Sequence, residues 1–180
     1  MARYRSSRLL FEIPRRENPV SLVKERSVRL ESPAFEDGSE VPRRYTCEGE
    51  DVSVPLRWGD APSSTKSFAV VCEDPDAPAG TWRHWAIFDI PPDTRELPEG
   101  IAKEAHTKVG RQAWNDFKRF GYGGPCPPHG HGVHNYRFRI FALSCDRLDV
   151  PVHATCRDVI QAASDSVLAE AQIVGTFARR

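Results

Sequence analysis

From residue 27 to about residue 100, short runs rich in Val, Ile and Phe alternate with clusters of Pro, Gly and Asp, the rhythm of an all-β sandwich. The pattern predicts strands at SVRLE (27–31), SFAVVCED (67–74), HWAIFDI (84–90) and NYRFRIFALS (135–144). In the second of these Phe68, Val70 and Cys72 project to one side and Ala69 and Val71 to the other, so both faces are apolar and the strand is central. The fourth alternates with a period of two: Tyr136, Phe138, Ile140 and Ala142 on a core face, Arg137 and Arg139 on a wet one. Near the C-terminus, Thr155 and Asp158 have capping-box spacing, and Val159, Ile160, Ala163, Val167 and Leu168 form an apolar helical stripe. One helix is therefore expected to run to about Ala171, before a short last strand, IVGTFA. No internal repeat interrupts this reading.

Composition changes the picture at the N-terminus. The 180 residues carry 25 basic and 25 acidic side chains and 39% apolar residues, which suits one globular domain. The first 26 residues nevertheless hold seven basic against three acidic side chains, a local charge of plus four. Residues 1–26 are expected to form a basic extension, flexible and solvated, and a single domain is expected over 27–180. Overall neutrality argues against nucleic acid as a partner. No run approaches the ~18 apolar residues of a membrane span, and no secretory signal stands at the start, so a cytoplasmic protein is expected. The five cysteines, Cys47, Cys72, Cys126, Cys145 and Cys156, include no C-x-x-C pair and are expected as reduced thiols.

Two stretches carry candidate chemistry. In EDPDAP (73–78), prolines lock their own φ and push Asp74 and Ala77 toward extended geometry, so Asp74 and Asp76 are pre-positioned. If extended, the carboxylates share a side; the alternative is a turn with Asx hydrogen bonds. His84 follows, sharing a face with Trp82, Ala86 and Phe88 by alternation. A carboxylate within reach would fix its tautomer and make it a proton or anion partner. The second stretch, GYGGPCPPHGHGVHNYRF (121–138), holds five glycines, three prolines and half of the six histidines. Positive φ at Gly121, Gly123 and Gly124 would turn amides toward one point, a nest suited to phosphate, although such a run by itself is usually a plain loop. His134 and Tyr136, two apart, project together beside it, and Asn135 projects oppositely.

DPDAP, the following HW, NDF with GYGGPCPP, and GHGVHNYRF, in this order, resemble the phosphatidylethanolamine-binding protein family, in its bacterial and archaeal branch of Raf-kinase-inhibitor-like proteins. The resemblance runs from about Val28 to Ala178. It implies a mainly β fold, a Greek-key antiparallel β-sandwich with a few peripheral helices, and a small pocket that takes phosphate, acetate or a phosphorylated head group. It puts pocket residues at Asp74, Pro78, His84, Gly124, Pro125, His134 and Tyr136, and Asp76 of the same motif joins them as a ligand-binding candidate. Protein partners such as a kinase or protease, and homodimers, are further implications of the resemblance. Two positions depart from the family pattern: Asn135 stands where Arg is common, and Lys118 where Gly often follows NDF.

The resulting expectation is noncatalytic binding of a small anion without a cofactor. Asp74 would orient and charge His84 or His134 so that an imidazole N–H faces the ligand, with the tryptophans and Phe88 walling the pocket. Two hydrolase alternatives stand beside it. His129, His131 and His134 with Asp74, Asp76 and His84 could supply metal ligands, and Cys126 could be a nucleophile with a nearby histidine. Cys126 has no following helix N-terminus to lower its pKa. The chain contains no G-x-S-x-G, H-E-x-x-H, P-loop or complete dinucleotide fingerprint.

Overall fold

The structure, a computed structural model, describes residues 27–179, so the basic extension lies outside the described residues. In chain order the elements are β1 (Arg29–Glu31), β2 (Leu56–Gly59), β3 (Ser67–Asp74), β4 (Trp82–Ile90), β5 (Glu96–Leu97), β6 (His106–Thr107), β7 (Gly110–Gln112), β8 (His134–Leu143), α1 (Cys156–Ala163) and β9 (Val167–Phe177). They build a Greek-key sandwich. One sheet has the order β1-β2-β5 and the other β6-β7-β4-β3-β8-β9, and every pairing between them is antiparallel.

The two apolar faces of β3 have different partners. Phe68, Val70 and Cys72 join Leu56, Trp58, Trp85, Phe138 and Ile140 in the core between the sheets. Ala69 and Val71 join Ala86, Phe88, Phe141 and Val159 beneath α1. That is why this strand is apolar at every core position and sits between β4 and β8. β8 alternates as its sequence indicates until Phe141 and Leu143, where the outer face also closes under the helix.

The C-terminal expectation needs correction. The capping box forms: the Thr155 amide donates to Asp158 at 2.8 Å, and the Asp158 amide donates to the Thr155 hydroxyl at 3.3 Å. The helix, however, stops at Ala163, a 3₁₀ turn covers Ser164–Ser166, and β9 starts at Val167. Ser-Asp-Ser favours a turn over helix interior, and β9 then pairs with β8 from Val167 opposite Leu143 to Phe177 opposite His134. Val167 and Leu168 are strand residues, and the last strand is longer than IVGTFA.

Candidate functional site

Three adjacent strands bring their ends together at one edge of the sandwich. β3 finishes on Asp74, opposite Trp82 at the start of β4, and β8 begins at His134, next to β3 on the other side. Between the pairs Cys72–Trp85 and Glu73–Arg83, β4 contains one extra residue, His84. Simple alternation would send His84 with Ala86 and Phe88 beneath the helix; this β-bulge re-aims it. Its ring stands edge-on to Tyr136, centroids 5.2 Å apart, and lines a cavity of about 260 Å³ together with Asp74 and His134. Phe88 stays in the helix-side core and Trp85 in the inter-sheet core, so neither is a pocket wall. The apolar walls are Pro78, Trp82, Phe117, Pro127 and Pro128.

The buried polar groups have defined roles. His134 Nδ1 lies 2.7 Å from Asp74 Oδ2, and a carboxylate only accepts, so Nδ1 carries the proton. The other oxygen, Asp74 Oδ1, accepts the Asp76 amide at 2.9 Å, the Asx turn of the alternative reading. His84 Nδ1 donates to the Gly123 carbonyl at 2.7 Å. Burial lowers the pKa of His84 against the opposing pull of that carbonyl and of Asp74, so the ring is neutral and its Nε2 is an acceptor. Tyr136 is fully buried, and its hydroxyl makes no hydrogen bond of ordinary geometry. Burial, and then the charge of Asp74, push its pKa far up.

Not every expected residue reaches the cavity. Asp74, Pro78, His84 and His134 line it, and Tyr136 packs behind the two imidazoles. Asp76 is exposed and faces away, its Oδ2 accepting both the backbone and side-chain amides of Asn135 at 2.8 Å. Those bonds hold its carboxyl below the usual range. Gly124 and Pro125 are buried outside the lining. The amide nest does not form at Gly123 and Gly124: their φ values are not positive, and their N–H groups donate to the His84 carbonyl (2.9 Å) and to Asp51 (2.6 Å). These glycines serve close approach instead. A Cβ on Gly123 would stand 2.6 Å from the Phe117 ring, and one on Gly124 2.2 Å from the Tyr45 carbonyl oxygen. Burial tends to raise the pKa of Asp51, but hydrogen bonds from Lys103 and Gly124 outweigh it and leave the carboxyl below its ordinary value.

Two features were missed in the sequence. Cys126 lines the cavity and is joined to Cys47 in a disulfide, Cα–Cα 5.4 Å, so the expectation of five reduced thiols is corrected; Cys72, Cys145 and Cys156 are free. The pairing spans 79 positions, and the spacing of the cysteines carries no signal for it. The second is the contact of His131, named in the sequence only as a candidate metal ligand: its Nδ1 lies 2.7 Å from His134 Nε2 at the cavity. Among the described residues, His, Cys, Asp and Glu form no group of three that could hold a metal ion. Asp74, a neutral His84 and a His134 tied to Asp74 thus converge on one cavity within apolar walls.

Known proteins share this arrangement of strands. The family described as phosphatidylethanolamine-binding protein matches residues 31–178. The chain is 47% identical over 148 residues to a UPF0098 protein of Aquifex aeolicus, covering 82% of this chain and 86% of that one. It is 36% identical over 148 residues to a Mycobacterium tuberculosis protein named as a lipoprotein, LppC, covering 82% and 71%. The crystal structure of Escherichia coli YbcL, described as a member of the mammalian family, superimposes with a TM-score of 0.79 at 29% identity, covering 86% and 99%. A Chlamydia trachomatis homolog gives 0.76 at 31% identity, covering 86% and 99%. The domain described above therefore belongs to the phosphatidylethanolamine-binding protein family and is of the type found in bacteria and archaea.

Proposed function

We propose that this protein binds a small oxyanion, or the phosphate of a phosphorylated group, and releases it chemically unchanged. The observation that carries this reading is the convergence of the Asp74–His134 pair and neutral His84 on a cavity with apolar walls. With a proton on Nε2, His134 donates to a ligand oxygen while Asp74 balances its charge, and His84 Nε2 accepts from a protonated ligand oxygen. The low dielectric of the walls strengthens both bonds. The cysteine sulfur in the lining is that of Cys126, and its disulfide removes it from the thiol-hydrolase alternative. Regulation of a protein partner such as a kinase or protease, the role the resemblance implies, would then be a use of the bound state.

The cytoplasmic location expected from the sequence fits the disulfide poorly. An oxidising compartment suits the Cys47–Cys126 pair better, and a relative named as a lipoprotein points the same way.

Calorimetry with inorganic phosphate and with O-phosphoethanolamine tests the binding reading and separates free anion from head group. The native protein should bind at least one of them, more weakly as pH rises, because anion binding then requires uptake of a proton. His134→Ala and Asp74→Asn should each weaken binding about 10-fold or more, since hydrogen bonds to charged groups contribute ~1.5–3 kcal/mol. Equal affinity in native protein and both variants would remove the pocket from the reading.

A further inference from the structure

Both ring nitrogens of buried His134 are engaged: Nδ1 by Asp74 and Nε2 by His131 Nδ1, each at 2.7 Å. One proton lies between the two imidazoles, so His131 fills the position at Nε2 where a ligand oxygen would have to sit. His131 itself is exposed and rides on a short rim segment. Gly130 (φ +72°) and Gly132 (φ +89°) flank it, and a Cβ at either position would meet open space. Val133, which follows, is 64% exposed. Within the segment the Gly130 amide donates to the Arg179 carbonyl at 3.3 Å and the His131 amide to the Pro128 carbonyl at 3.2 Å, both at the long end of the hydrogen-bond range. The ring can therefore leave without disturbing β8, whose pairing to β9 begins at His134.

We propose that His131 is a built-in occupant of the pocket, an imidazole that holds His134 Nε2 in the empty protein and that a phosphate-bearing ligand must displace. The proposal rests on the anion-binding reading above. The cap keeps Nε2 of His134 hydrogen-bonded when no ligand is present, and it taxes every ligand by the fraction of molecules in which the ring is already displaced. One hydrogen bond at an exposed position corresponds to about a 2- to 10-fold reduction in apparent affinity.

The test compares native protein with His131→Ala, a substitution at an exposed rim position, by calorimetry with inorganic phosphate and by imidazole ¹⁵N–¹H NMR of His134. Phosphate should bind His131→Ala about 2- to 10-fold more tightly. The His134 Nε2 resonance of ligand-free protein should move on removal of His131, and phosphate should move it in native protein. Equal affinity overturns the cap and leaves the anion reading intact. Weaker binding by His131→Ala also overturns it, because His131 would then be a ligand donor and not a competitor. Phosphate and O-phosphoethanolamine that bind neither protein overturn the anion reading and the cap with it.

Discussion

Opening the Cys47–Cys126 bridge should lower stability by several kcal/mol while the fold persists. The bridge spans 79 positions, and the loop-closure entropy it removes from the unfolded chain amounts to about 4.5 kcal/mol at 25 °C. The folded state does not depend on it for loop placement. The Cys47 amide donates to the Pro125 carbonyl at 3.1 Å, the Gly124 amide to Asp51 at 2.6 Å, and the Tyr122 hydroxyl to the Tyr45 carbonyl at 2.9 Å, all across the same junction. The cost therefore arises in the unfolded ensemble. At ~2–4 °C per kcal/mol for a domain of this size, the melting temperature should fall by roughly 9–18 °C. Scanning calorimetry with and without a phosphine reductant measures it, Cys47→Ser repeats it without reductant, and non-reducing peptide mapping identifies the cross-linked pair. A shift under about 2 °C with the bridge confirmed would refute the entropic argument, and five alkylatable thiols in unreduced, denatured protein would refute the pairing.

Gly124→Ala places a methyl group 2.2 Å from the Tyr45 carbonyl oxygen and 2.8 Å from Thr46 Cα; overpacking against backbone should cost about 1–3 kcal/mol or more in urea unfolding, and an unchanged midpoint would contradict the geometry. Lys118, at a position where the family often has Gly, has φ +62°, so Lys118→Gly should stabilise by about 1 kcal/mol in the same assay. Burial depresses the folded-state pKa of His84, so on acidification the unfolded chain takes up this proton first. Its contribution is complete above about pH 6.5 and is lost as pH falls toward the folded-state pKa, with a slope of at most about 1.4 kcal/mol per pH unit. Urea titrations between pH 7.5 and 5 should show a flatter dependence in His84→Gln, and an identical slope would contradict a buried neutral ring.

β3 and β8 were legible because their side chains have to satisfy packing partners on the sheet faces. β3 is apolar on both faces since one meets the second sheet and the other meets α1, and its length and β-branched and aromatic content, closed by the prolines after Asp74, favour a strand over a buried helix. β5 and β6, of two residues each, are too short to show a period. The helix boundary failed for a different reason. Val167 and Leu168 satisfy the helical stripe and a strand alternation equally well, and the decision falls to the backbone of β8, which offers β9 hydrogen-bonding partners from end to end. That partner is remote in sequence, so a local pattern cannot register it.

At the site, Asp74, Pro78, His84 and His134 were legible as lining residues, and the places of Asp76, Gly124 and Pro125 were not. The two aspartates of DPDAP have equal claims in the sequence, but Asp74 captures the amide of Asp76, and this turn carries the second carboxylate outward. There it accepts both amides of Asn135. The Asn that departs from the family pattern thus donates through its side chain to the same oxygen as its backbone, a pairing that ties the β3–β4 turn to the first residues of β8. Because His134 is the neighbour of Asn135, the outer clamp and the inner Asp74–His134 bond hold the same junction from opposite sides. Asp76→Ala should therefore loosen the pocket without removing any group that lines it. A weaker affinity for phosphate in that variant, with the pH dependence of the native protein retained, is the outcome that separates a positioning role for Asp76 from a direct contact with the ligand.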